Sequence, residues 1–362
     1  MTNPYAAAGV DTDAGDLAVE LMKSAVAATH GPGVLGGVGG FAGLFDLSAA
    51  AQYKRPLLAT STDGVGTKVA LAQAVDRHDT IGQDLVGMVV DDIIVVGAKP
   101  LFMTDYIACG KVEPKRIADI VRGIAAACSA TGTALVGGET AEHPGLLGVD
   151  DYDVAGAAVG IVEADAVLGA EHVQHGDVVI AMSSSGLHSN GYSLVRHVLS
   201  ERGIALTDHV DELGGVAGEV LLEPTRLYTA ALLAAIESGI TLHSLSHVTG
   251  GGIAANLARV LPVGSWTEID RGSWSVPEVF SVLADIGGFS VESTEGTWNL
   301  GIGMIAVLPA AEVERFISSA EAHGIPSWRI GVVSTQARPE GSFIEGAKGV
   351  DGGAVRLIGS HQ

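Results

Sequence analysis

Asp63-Gly64-Val65-Gly66-Thr67-Lys68 sets an acid, two glycines and a lysine directly after Leu57–Thr62, a run that reads as a strand. A glycine loop at a strand end lets backbone N–H groups approach phosphate oxygens. A carboxylate beside it can hold a divalent cation, and a lysine can neutralise charge. The glycine-to-lysine spacing is wrong for a Walker A loop, and a plain strand-to-helix turn explains the run equally well. Further acids shift that balance. Asp91-Asp92 interrupt the apolar stretch Ile81–Val96, and Glu139 follows Gly137-Gly138. An acid pair inside an apolar helix is costly unless a cation or several donors meet its charge. Mg²⁺ bridging Asp63, Asp91, Asp92 and Glu139 to nucleotide phosphates would meet it. For each acid taken singly, capping or solvent exposure is the alternative.

Two further groups lie at strand-to-helix junctions. Ser183–Gly191 follows the apolar run Val178–Met182 and precedes a helical Tyr192–Glu201. Its N–H groups and the helix N-terminus could face an anion. His247-Val248-Thr249-Gly250-Gly251-Gly252 opens another helix, and there a histidine could exchange a proton with a substrate. A lone histidine is more often structural. No nucleophile elbow and no histidine pair of metallopeptidase spacing occur, and Gly36–Gly43 does not match the dinucleotide fingerprint. The residues support a Mg²⁺–nucleotide phosphate site and a second anion site, without fixing a reaction.

The elements that must position these groups alternate along the chain. Helices are expected over Asp16–Ala28, Ile81–Val96, a stretch from Ile117 to Gly132, and Thr225–Ser238, with another after Pro277. Strands are expected at Leu101–Ala108, Ala134–Val136, Val154–Val162, Thr241–Ser246, Gly301–Leu308 and Trp328–Val333. The pattern loosens around Glu163–Gly176. This divides the 362 residues into domains at 1–168 and 169–340, with a glycine-rich tail, 341–362, to which no role is assigned. The formal charge of −22 argues against nucleic acid or an anionic membrane as a partner. Leu85–Ala98 is too short to span a bilayer. Two cysteines, Cys109 and Cys128, fit neither a zinc site nor a disulfide framework, and no signal segment is visible. A cytoplasmic α/β protein is the expectation.

The same residues resemble the phosphoribosylformylglycinamidine cyclo-ligase (aminoimidazole ribonucleotide synthetase) family. The likeness is carried by YAAAGVDTDAG at Tyr5–Gly15, TDGVGTK at Thr62–Lys68, RHDTIG at Arg77–Gly82 and the Asp92–Pro100 segment ending GAKP. It continues through LVGGETAEHPG at Leu135–Gly145, DYDVAG at Asp151–Gly156, SSGLHSNGYSLVR at Ser184–Arg196 and HVTGGG at His247–Gly252. Asp91 stands where the family often has asparagine, and His143 where methionine is frequent.

The resemblance implies two mixed α/β (α+β) domains and a homodimer whose N-terminal-domain strands build a shared barrel. It implies that formylglycinamidine ribonucleotide and ATP give aminoimidazole ribonucleotide, ADP and phosphate, by phosphorylation of the formamide oxygen and ring closure. By that resemblance Asp63, Asp92 and Glu139, together with Asp91, would bind Mg²⁺. Gly64, Gly66, Thr67 and Lys68 would contact ATP, with Gly36, Gly37, Gly39 and Gly40 closing over it. Ser189, Asn190 and Gly191 would hold the ribonucleotide. Thr249, Gly250, Gly251 and Gly252 would line the reacting centre, with His247 moving a proton; Lys68 and Asp63 count with it as catalytic. A monovalent cation is left open. Thiamine-phosphate kinase, selenophosphate synthetase and a non-catalytic ATP-binding scaffold share the superfamily and are the alternatives.

Overall fold

The computed structural model describes residues 11–37, 39–347 and 349–361. Tyr5–Val10 of the first motif and Val38 lie outside the described residues. The chain forms two compact units. One comprises residues up to Ile93, Ala98–Asp165 and Gly218–Leu227; the other comprises Ile94–Gly97, Ala166–Ala217 and Tyr228 onward. Each unit includes a short segment from the other's stretch of sequence. Hydrogen bonds accompany the exchange of Ile94–Gly97. The Leu168 N–H donates to Val96 and the Gly169 N–H to His243, which ties the linker to the second unit.

The first unit is a four-stranded sheet carrying helices. Its strands are β1 (Pro56–Gly64), β2 (Lys99–Cys109), β3 (Ala134–Glu142) and β4 (Tyr152–Glu163), and its helices are α1 (Thr12–Ala28), α2 (Val69–Val75), α3 (Ile81–Ile94) and α4 (Pro114–Thr131). The strand order is β1-β4-β2-β3, antiparallel except for the β2–β3 pair. Two strands outrun their expected ends. β1 continues through Asp63 and Gly64, and β3 continues through Gly137–Glu142, so these glycines belong to ladders and not to loops. Helix α4 starts with Pro114 in its first turn and stops at Gly132 (φ 68°), the left-handed position where a side chain would be strained. Helix α3 touches α4 almost backbone to backbone. A Cβ on Gly82 would lie 2.1 Å from the Ile124 nitrogen, and one on Gly123 would lie 2.3 Å from the Asp79 carbonyl oxygen.

The second unit contains β5 (Val178–Ser183), β6 (Ser244–His247), β7 (Trp266–Asp270), β8 (Ile302–Leu308), β9 (Ser327–Val332), β10 (Ile344–Ala347) and β11 (Val350–Ile358). Its helices are α5 (Tyr192–Glu201), α6 (Thr229–Glu237), α7 (Gly252–Ala258), α8 (Glu278–Gly287) and α9 (Val313–Ala322). One sheet has the order β6-β8-β5-β9, with antiparallel neighbours throughout. β5 and β8 are apolar and buried along almost their whole length, because cores lie on both faces. Tyr228, Leu232, Leu245 and Phe316 belong to one core, and Ile253, Leu257, Ile269 and Val355 to the other.

The tail is not separate from this unit. β10 and β11 form a hairpin, and β11 pairs in parallel with β7. A Cβ on Gly352 would lie 2.1 Å from the Ala258 carbonyl oxygen, so α7 rests directly on the hairpin backbone. Glycine richness, read in the sequence as a tail without a role, here marks close packing.

The helix contact in the first unit gives a clear expectation. Gly82→Ala forces a methyl group into the α4 backbone and should lower unfolding free energy by about 1–3 kcal/mol, read from the shift in urea midpoint.

Candidate functional site

Asp63 stands in β1 opposite Gly156, with Gly64 opposite Ala155. The loop proper is Val65–Lys68, a single 3₁₀ turn running straight into α2, with Gly66 at φ 73°. Asp63, Gly66 and Thr67 are exposed and Gly64 is half-buried, so the turn is open to a ligand. The Asp63 Oδ1 accepts the Gly64 N–H at 2.8 Å, which fixes the carboxylate at the start of the turn.

Lys68 departs from its expected place on ATP phosphate. Its side chain is wholly buried, with Nζ 2.8 Å from Asp84 Oδ1 and 2.6 Å from the Glu223 carbonyl oxygen. The same Oδ1 accepts the Thr225 N–H at 2.8 Å and its hydroxyl at 2.7 Å, and Gln83 donates to the Thr225 carbonyl. Asp84 Oδ2 is buried without a hydrogen-bond partner. Burial pushes the Lys68 ammonium pKa down and the Asp84 carboxyl up, each against the attraction of the other. The lysine thus anchors the turn to segment 218–227 and does not present its charge to solvent. Asp84 and Thr225 were not singled out in the sequence. An acid on the apolar face of a helix was the available signal.

The acids do not converge. Among the described residues no three His, Cys, Asp or Glu side chains group as a metal site. Asp91 is buried whereas Asp92 is exposed, since neighbouring helical positions are turned by about 100°. Glu139 is exposed and pairs with Tyr106, whereas the row through Asp63 runs across Gly156, Asp105 and Gly138. The two-residue period of strands therefore puts Glu139 on the other face of the sheet from Asp63. The backbone register thus separates the Glu139 carboxylate from that of Asp63.

Asp105 is a second residue that the sequence reading missed. It is half-buried, and its carboxylate lies on Gly138, where a Cβ would stand 2.3 Å from Oδ1. Burial pushes its carboxyl up to about 7. Gly138 is thus required beside Glu139 for the room that Asp105 takes.

In the second unit the two expected loops meet. The Gly250 N–H donates to Asn190 Oδ1 at 2.9 Å, joining Ser183–Gly191 to His247–Gly252. Gly191 caps α5 in the left-handed region (φ 77°), and Gly251 does the same for α7 (φ 110°). Asn256 Nδ2 donates to the Thr249 and Gly252 carbonyls, holding the turn onto its own helix. Ser189 and His247 are buried, and Asn190, Gly191 and Thr249 half-buried. Ser184 Oγ donates to the Gly186 carbonyl and to Asn299 Oδ1, while Asn299 Nδ2 donates to Gly186. Asn299 is another residue the sequence reading passed over. The glycines at 36, 37, 39 and 40 lie at the exposed tip of a hairpin closed by Val34–Leu35 and Leu44–Phe45, with Phe41 fully exposed.

Two outcomes test this electrostatics. Asp84→Ala leaves the Lys68 ammonium buried without its carboxylate and should cost about 3–5 kcal/mol in urea unfolding. The Lys68→Met/Asp84→Leu pair should cost distinctly less than that single change. Because the folded Asp105 carboxyl titrates near about 7 and a free Asp near about 4, its burial lowers stability as pH rises through that window. Asp105→Asn stays neutral, so its melting temperature relative to the parent should climb from about pH 5 to about pH 8.

Comparison with known proteins bears on what these loops serve. Residues 47–162 match the family described as AIR synthase related protein, N-terminal domain, and residues 174–343 match its C-terminal domain. The chain is 48% identical over 347 residues to a phosphoribosylformylglycinamidine cyclo-ligase of Shouchella clausii, covering 96% of this chain and 99% of that one. It is also 48% identical over 330 residues to the enzyme of that name from Thermosynechococcus vestitus, covering 91% and 96%. Among solved structures it is similar to a thiamine-monophosphate kinase from Stenotrophomonas maltophilia, with TM-score 0.66, 17% identity and coverage of 94% and 97%. The hydrogenase maturation protein HypE of E. coli is similar at TM-score 0.63, 17% identity and coverage of 96% and 93%. The structural likenesses concern the fold alone. With both domains matched and full-length relatives of one name at this identity, the chain belongs to the phosphoribosylformylglycinamidine cyclo-ligase family.

Proposed function

We propose that the protein closes the imidazole ring of aminoimidazole ribonucleotide from formylglycinamidine ribonucleotide, consuming ATP and releasing ADP and phosphate. The observation that carries this is identity of 48% along nearly the whole chain to cyclo-ligases. The γ-phosphoryl group passes to the formamide oxygen, the amidine nitrogen attacks the formyl carbon, and the C–O bond to phosphate breaks. Such a reaction needs positioning and charge neutralisation above all.

Placement supports the following roles. Gly64, Gly66 and Thr67 offer N–H groups and a hydroxyl on the open turn for ATP phosphates, and Gly36, Gly37, Gly39 and Gly40 cover the nucleotide from the hairpin tip. Ser189, Asn190 and Gly191 hold the ribonucleotide phosphate at the start of α5. Thr249, Gly250, Gly251 and Gly252 shape the reacting centre beside His247, which moves a proton. Asp63, Asp92 and Glu139 are exposed hard-oxygen donors, of which one or two would hold a given Mg²⁺ ion. Magnesium takes only one or two protein carboxylates and fills its shell with phosphate oxygens and water, so scattered acids are compatible with it. When bound it would neutralise developing charge on the transferred phosphoryl group. Asp91, being buried, supports α3 and is not a first choice as ligand. Lys68 acts by holding the turn.

A homodimer fits the first unit. The β1 edge exposes Leu57 and Leu58, and one face of the sheet leaves Thr60, Thr62, Thr104 and Tyr106 exposed. A second copy would bury that edge and face, as the shared barrel of the family requires. A cytoplasmic location belongs to this reading; no helix among the described residues is long and apolar enough to cross a membrane.

The deciding experiment incubates the purified protein with Mg²⁺, ATP and formylglycinamidine ribonucleotide and looks for aminoimidazole ribonucleotide. ATP turnover without that product would point to the kinase or scaffold alternatives. Asp63→Asn should fold normally and lose at least about a hundredfold in kcat. His247→Ala should lower kcat by about a hundredfold with the KM for ATP unchanged. If only the ribonucleotide KM moved, His247 would be a binding residue.

A further inference from the structure

The two loops of the second unit share one support. A Cβ on Gly252, the first residue of α7, would lie 1.7 Å from the Glu295 carbonyl oxygen. A Cβ on Gly191 would lie 2.4 Å from Trp298 Cδ1 and 3.2 Å from Thr297 Cγ2. Asn299 reaches Ser184 and Gly186 by hydrogen bonds. Segment Thr294–Asn299 is therefore the floor on which both loops sit, and a shift of the floor is a shift of the loops.

That floor is pinned from the far end of the chain. Arg271 grips the Glu295 carboxylate with two hydrogen bonds, Nε at 2.6 Å and Nη2 at 2.8 Å. His361 Nε2 donates to the same carboxylate at 3.0 Å, and its ring stands edge-on to Trp274, with centroids 5.4 Å apart. Trp274 Nε1 in turn donates to the Leu300 carbonyl, just past the floor, and Arg271 Nη1 donates to the Gly359 carbonyl. All three side chains of the cluster are largely buried, where a forked arginine–carboxylate pair holds geometry well. Arg271 follows β7 and His361 follows β11, so the parallel β7–β11 pairing is what brings them together.

We propose that Arg271, Glu295 and His361 are positioning residues for the Gly250–Gly252 and Ser189–Gly191 loops, so that the segment after β11 sets the geometry of the ribonucleotide site. The inference rests on the reading that these loops hold the ribonucleotide. None of the three touches the substrate. Each acts through the backbone of Glu295 and its neighbours.

The test compares His361→Ala and His361→Gln in the full chain. Amide hydrogen exchange is followed by mass spectrometry, alongside steady-state kinetics in both substrates. In His361→Ala, exchange across residues 249–256 should rise about tenfold or more while β5 stays protected. The kcat should fall about tenfold with the KM for ATP unchanged. Gln can still donate to Glu295, and His361→Gln should restore most of both effects. Unchanged exchange at 249–256, or a rise spread equally through β5, overturns the proposal. Should His361→Ala fail to fold, Arg271→Lys, which keeps the charge but loses the fork, serves in its place under the same criteria. Absence of ring-closed product with the parent protein would defeat the functional reading, while the exchange measurement would still decide the brace.

Discussion

Backbone approaching backbone without an intervening side chain is the constraint on which this molecule depends. At Gly82 and Gly123 it lets two helices meet at van der Waals distance, and at Gly352 it seats α7 on the terminal hairpin. At Gly252 it sets the second loop of the second unit on the Glu295 backbone, and at Gly191 the first loop rests on the Trp298 side chain of the same floor. Gly303 makes room for side chains instead, since a Cβ there would stand 2.1 Å from the Tyr228 hydroxyl and 2.4 Å from His188 Cε1. Tyr228 donates to the Ser183 carbonyl, so that contact reaches the start of the first loop. Rigid loops of this kind lower the ordering cost of binding a small anionic ligand.

Electrostatics follows a complementary rule. A chain of formal charge −22 must bind two phosphorylated substrates, yet the lysine of its most suggestive motif is neutralised by Asp84. In the proposed site, positive potential at the phosphates comes from backbone N–H groups and helix N-termini, which a divalent cation would supplement. These sources bind anions at short range without drawing polyanions to the surface as a whole. The buried pair contributes a fixed anchor for the turn in place of field.

Much of this was legible in the residues. Strand-to-helix junctions at Asp63, Ser183 and His247 follow from apolar runs broken by glycines, and the family motifs name their chemistry. Three things were not legible. The ends of β1 and β3 were read as loops because glycine weakens strand patterns, although ladder partners supply what the side chains lack. The burial of Lys68 depends on Asp84 and on Thr225, far along the chain, and no local pattern encodes such a contact. The floor at Thr294–Asn299 was silent because its side chains look like an ordinary polar turn. Its role lies in where two distant glycines touch it.

The anchoring of Lys68 also bears on how the polypeptide is made. The lysine and the Glu223 carbonyl it contacts are 155 positions apart, and the segment bearing Glu223 and Thr225 belongs to the first unit although most of the second unit's opening stretch precedes it. A nascent chain emerging from the ribosome thus carries an ammonium and a carboxylate ready for burial long before their third partner has been translated. Chains generally fold domain by domain during synthesis, and here the sequence of the first unit is complete only at Leu227. The contact that buries Lys68 is closed by residues translated after Ala166–Ala217 of the second unit.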